Sequence, residues 1–93
     1  MNPSTQKVVS STMRLGSMLR AYGQNDLAER MREALRNLQE DEARGLLRIQ
    51  SVLRQVRELA LSDERAHHRL HQLARELRRD LADRAEQLEL ILL

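Results

Sequence analysis

The chain has 93 residues, a net charge of +2, no Cys, no Phe, no Trp and one Tyr, Tyr22. The length fits one domain. The lack of Cys excludes disulfides and thiol chemistry, and a core without large aromatics has to be built from Leu, Val, Ile, Met and Ala.

Sixteen basic groups face 14 acids, a balance that gives nucleic-acid binding weak support. Every basic residue except Lys7 is Arg, a bias that suggests a GC-rich genome, hence a bacterium or its phage. The N-terminal stretch has no continuous apolar segment of signal-peptide type. No stretch approaches the roughly 20 apolar residues of a membrane span. These absences lead to the expectation of a cytoplasmic chain without membrane partners. A Leu, Ala, Glu and Arg mixture with few breakers is the profile of long helices and coiled coils.

The first helix is expected over about 3–22. Asn2 is its N-cap and Pro3 sits at the first position, where a missing N–H costs nothing. Val8, Thr12, Leu15, Leu19 and Tyr22 are spaced four and three apart and so share one face. Val8, Leu15, Leu19 and Tyr22 are the candidate partner-binding surface. Gly23 reads as a left-handed stop. Met13, Met18 and Met31 are either ordinary core, the favoured reading, or an adaptable contact surface. Gly16, among Ser10, Ser11 and Ser17, either admits the close approach of another helix or weakens its own.

The second helix is expected over about 26–61. It opens on Asp26-Leu-Ala-Glu29, which has capping-box spacing. A heptad then runs through Ala28, Met31, Leu35, Leu38, Glu42, Gly45, Ile49, Val52, Val56 and Leu59. Glu42 and Gly45 are poor core residues, so a loop near 39–45 competes with one continuous helix. The unbroken heptad phase favours the continuous helix, which would be roughly 50 Å long at 1.5 Å per residue.

Ser62 and Asp63 mark a tight reversal into a third helix over about 63–91. Its apolar stripe is Leu70, Leu73, Ala74, Leu77, Leu81, Ala85, Leu88 and Leu92. The predicted architecture is all-α: an elongated three-helix hairpin with one long central helix, dimerising into a helical bundle. The final run, Leu88 to Leu93, would be apolar on nearly every side if helical, and such a helix is a buried one. Leu88, Ile91 and Leu92 are therefore assigned to self-association, with a C2 homodimer as the expected form and simple fraying of the end as the alternative.

Glu64, His67, His68 and His71 gather at the start of that helix. His67 and His71 are four apart, a spacing compatible with Zn²⁺. No further His and no Cys exists to complete a site, so the preferred reading is a polar helix face and no metal or cofactor is expected.

Arg44, Arg48, Arg54 and Arg57 lie in an acid-free stretch, 43–57. They read as a solvated outer face, or as a contact for acidic protein or phosphate. No aromatic interleaves them for base stacking. Nucleotide fingerprints and catalytic constellations are missing. The expected function is a non-enzymatic interaction protein, a regulator, inhibitor, adaptor or chaperone that binds a larger protein through apolar helix faces. A small nucleic-acid-associated protein is the alternative.

Overall fold

Residues Met1–Leu92 are described by a computed structural model, and they form four helices with no strand: α1 (Pro3–Ala21), α2 (Asn25–Glu40), α3 (Glu42–Arg57) and α4 (Glu64–Gln87). The start of α1 is as the sequence predicts. Asn2 Oδ1 accepts from the Ser4 N–H at 2.8 Å and Pro3 occupies the first turn. Its end is a Schellman motif: the Gln24 N–H reaches Leu19 O at 2.8 Å and the Gly23 N–H reaches Arg20 O at 3.1 Å. This geometry places Gly23 at φ 78°, where a side chain would be strained.

The α2 helix opens at Asn25 without a side-chain cap, so the expected box between Asp26 and Glu29 does not form. The single long helix over 26–61 does not form either. Asp41 interrupts it in extended conformation, φ −148° and ψ 103°. The Asp41 N–H closes α2 on Asn37 O, and its carboxylate accepts from the Arg44 N–H at 3.2 Å to open α3. One residue thus ends one helix and caps the next. Heptad phase survives this break because phase records which face is apolar and carries no information about the direction of the axis.

Reversal so abrupt forces the facing turns together. Gly45 is buried, and a Cβ built there would lie 2.6 Å from Leu38 N and 2.8 Å from Leu38 Cβ. The glycine that looked like a defect in a heptad is what lets α2 and α3 meet at the corner.

Cross-helix pairs fix the topology. Ser4 bonds Gln87 and Ser11 bonds Asp80, which sets α1 antiparallel to α4. Gly16 faces Met31 across α1 and α2. Arg30 bonds Gln55 at 2.6 Å across α2 and α3, and Glu42 meets Arg84 across α3 and α4. A second contact fixes the direction in each of the other cases, Arg20 with Glu29, Gly45 with Leu38 and His71 with Leu59 O: residue numbers rise on one helix as they fall on its neighbour, so the chain is an up-down-up-down four-helix bundle. It measures 38 × 22 × 20 Å, shorter than the hairpin predicted from a central helix of roughly 50 Å.

Its core is aliphatic, as composition requires, with Val8, Leu15, Leu19, Met31, Leu46, Ile49, Val56, Leu70 and Leu77 almost wholly excluded from solvent. Burial of each Leu contributes roughly 1.5–3 kcal/mol. In consequence Val8, Leu15 and Leu19 are not a free partner surface; they are the inner face of α1, and of that predicted set only Tyr22 is exposed.

The C-terminal segment also departs from expectation. Helix α4 stops at Gln87, well short of 91. A second Schellman motif ends it, with the Glu89 N–H on Glu86 O at 3.1 Å and the Leu90 N–H on Ala85 O at 2.8 Å. The left-handed position is filled by Glu89, φ 56°, and not by Gly. Reversal at Glu89 turns Leu90 and Leu92 back against the core of their own chain, while Leu88 is 37% and Ile91 80% exposed. Leu93 lies outside the described residues.

Candidate functional site

A largely apolar, open groove runs between α1 and α2. It has a volume of about 580 Å³ and is floored by Gly16, Ala28 and Met31. Met13, Ser17 and Leu35 form its sides, with Arg20 and Arg32 at the rim. Local sequence explains the hollow. Gly16 contributes no side chain, and a Cβ added there would meet only Met31 Cβ, at 3.9 Å. Small residues at Ser17, Ala21 and Ala28 keep the walls low, and Met13 projects beside them at 58% exposure. An unbranched thioether side chain at such a surface conforms to varied shapes. Of the three methionines considered together in the sequence, Met13 and Met31 share the groove, whereas Met18 packs partly against the core.

The charged groups are arranged differently. Glu42, a misfit in the heptad, is the centre of a polar node linking three helices. It accepts from Thr5 Oγ1 of α1 at 2.8 Å and from Arg84 of α4, Nε at 2.5 Å and Nη2 at 3.2 Å. The Arg84 side chain is only 11% exposed and that of Glu42 30%. Hydrogen bonding from Arg84 holds the Glu42 carboxyl below the usual carboxylate range; partial burial opposes this, and the Thr5 hydroxyl and the Arg84 charge add to it. The same pairing raises Arg84 further above its ordinary value. Ser11 and Asp80 make a second polar link, with Arg14 also donating to Ser11. Serine and threonine near the N-terminus thus lock α1 onto α3 and α4.

Arg44, Arg48, Arg54 and Arg57 are all exposed on α3, as the acid-free stretch predicts. The sequence did not show that Arg57 shares a hollow with Arg75 and Arg78 of α4, because that depends on the packing of two helices. His67 and His71 are used internally. His71 Nε2 donates to Leu59 O at 2.9 Å, and His67 Nδ1 accepts from the Leu61 N–H at 3.3 Å. The two rings lie 4.4 Å apart and pin the α3–α4 link. Among the described residues no group of His, Cys, Asp and Glu is placed to hold a metal ion. No helix of the described residues is long and apolar enough to cross a membrane.

No protein-family model, curated protein or solved structure matches this chain. A functional reading therefore rests on the groove, the charged faces and the C-terminal segment alone.

Proposed function

We propose that this chain is a non-enzymatic helical interaction protein of the cytoplasm of a bacterium or its phage. It acts as a regulator, inhibitor, adaptor or chaperone by taking an apolar helix of a larger protein into the α1/α2 groove. The observation that supports this reading is the groove itself: an apolar channel between two helices, low-walled at Gly16 and Ala28, with an exposed methionine at its edge and arginines at its rim. Helix-in-groove recognition needs such a channel, because the ligand helix seats anchors spaced three and four apart between two ridges.

The test is photo-crosslinking from Ser17 in a lysate of the source cell, with the parent chain and with Met13→Glu. Met13 is exposed, and Glu is a good helix former, so the variant keeps the bundle while placing a charge at the groove. A protein captured by the parent and lost from the variant is the expected result. An identical set of captured proteins from both chains would rule the groove out.

Self-association belongs to the same proposal, carried by the exposed Leu88 and Ile91; Leu92 packs on its own chain and is not available to it. Exposed leucine-sized side chains at a helix end are the kind of surface that a C2 pairing covers. The second reading, phosphate binding by Arg44, Arg48, Arg54 and Arg57, is favoured by their common exposure on an acid-free helix. It requires affinity for nucleic acid that falls steeply with salt.

A further inference from the structure

Helix α4 ends at Gln87, although nothing in the following Leu88-Glu89-Leu90-Ile91-Leu92 stops a helix. Leu and Glu are good helix formers, and the run contains neither Gly nor Pro. The end is instead a reversal with Glu89 at φ 56°, a left-handed conformation that strains an L residue. What holds the reversal is apolar. Leu90 and Leu92 pack on the core, and Leu92 enters a hollow of about 330 Å³ in the seam between α3 and α4, where Leu53, Leu81 and Ala82 also lie. Leu53 and Leu81 are buried with the segment in place. No side chain of 88–92 makes a hydrogen bond or an ion pair among the described residues. The segment is therefore set by leucine contacts that work against a strained hinge.

Folding back covers only part of the segment, since Leu88 and Ile91 stay exposed. A straight segment has other faults. With α4 continued to Leu92 the strain at Glu89 is gone, but the added turn is apolar on nearly every side. Leu92 would then stand about 15 Å beyond Ala82 along the axis, and its own hollow would be left open. A second copy removes both faults. It carries the identical segment and the identical hollow, so the straightened end of each chain can fill the seam of the other. The exchanged contacts are those already made within one chain, the strain at Glu89 is relieved in both copies, and the exchange closes at two as a C2 pairing. The occupant of the seam is set by the structure, which has Leu92 of this chain in it.

We propose, on the reading of self-association given above, that the C-terminal segment is an exchangeable arm. At high chain concentration α4 straightens through Glu89, and Leu90 and Leu92 of one copy take their places on the α3/α4 seam of the other. Surface pairing by Leu88 and Ile91 alone leaves Leu92 on its own chain; exchange transfers it and brings the two arms together at Leu88 and Ile91.

The test is sedimentation equilibrium of the full chain from about 0.01 to about 1 mM, a range that reaches the roughly millimolar effective concentration of a short tether. The parent is compared with Glu89→Gly, which relaxes the hinge of the single chain and weakens a straight helix. The expected result is a parent whose mass rises from one copy to two across the range, and a variant that dimerises about tenfold or more weakly. Disulfide trapping gives the second readout, because the chain has no cysteine of its own. Gln50 lines the same hollow as Leu92, so a Gln50→Cys chain mixed with a Leu92→Cys chain and oxidised should link far more than the same mixture with Arg65→Cys, an exposed position outside the hollow. A parent with the mass of one copy throughout would overturn the exchange together with self-association. Equal dimerisation of parent and Glu89→Gly, or linking from Gln50→Cys no greater than from Arg65→Cys, would overturn the exchange and leave surface pairing by Leu88 and Ile91 standing.

Discussion

Gly16 and Gly45 are both helical, and the structure gives them opposite demands. At Gly45 a methyl group would run into the backbone of Leu38, so either α2 or α3 has to move. Overpacking of this kind costs typically 1–3 kcal/mol. At Gly16 a methyl group makes an ordinary contact with Met31, and the gain in helix propensity from Gly to Ala is roughly 0.8–1 kcal/mol. Thermal unfolding should therefore show Gly45→Ala melting below the parent and Gly16→Ala above it. A rise in Tm for both would mean that the corner at Asp41 is not closed by a Gly45–Leu38 contact. Composition announces neither sign, because the sequence shows two glycines in helical context and only the neighbouring helix tells them apart.

The informative features of the elements are their ends. Gly23 reads unambiguously, since a glycine after an apolar stripe has few other uses, whereas the break at Asp41 lies inside a stretch, 39–45, that reads as a competing loop and is set aside for a continuous helix. Asp41 stood in Glu40-Asp41-Glu42, a run equally at home on a solvated helix face. The end of α4 hid more completely. A Schellman motif normally advertises itself by a glycine, and here Glu89 takes the left-handed position. An L residue in that conformation costs roughly 1–2 kcal/mol, part of which returns as lost chain entropy when Gly replaces it. Chemical denaturation should accordingly find Glu89→Gly about 0.5–1 kcal/mol more stable than the parent. An unchanged or lower stability would argue that the chain does not reverse at Glu89, and that Leu92 reaches the α3/α4 seam by no such turn.

For the molecule as a whole, the node of Thr5, Glu42 and Arg84 is a polar link that joins three helices, α1, α3 and α4. Its pH dependence has a definite sign. The folded-state carboxyl of Glu42 titrates below the usual 4.5, chiefly because Arg84 donates to it. A depressed carboxylate contributes stability that is present above the unfolded value and lost as pH falls through the folded one. Glu42→Gln should lower Tm at neutral pH, and the gap to the parent should narrow as pH drops below about 4.5. A gap that stays constant with pH would show that the ionised carboxylate adds nothing beyond the shape of the side chain.

The sequence by itself determined that this is an all-helical chain, that its core is aliphatic, and where α1 begins and ends. Those features follow from local chemistry: the spacing of apolar residues along one helix, a cap, a proline and a glycine, each read within a few residues. It also marked Glu42 and Gly45 as anomalous, and Arg54 and Arg57 as an acid-free face. Only the tertiary structure decided that the long heptad folds in two at Asp41, and that Val8, Leu15 and Leu19 are core. It likewise brought Arg75 and Arg78 beside Arg57, and Leu92 into the seam between them. Periodicity specifies which side of a helix is apolar and leaves open what that side meets; the meeting is settled by helices far apart in the chain competing to cover the same leucines.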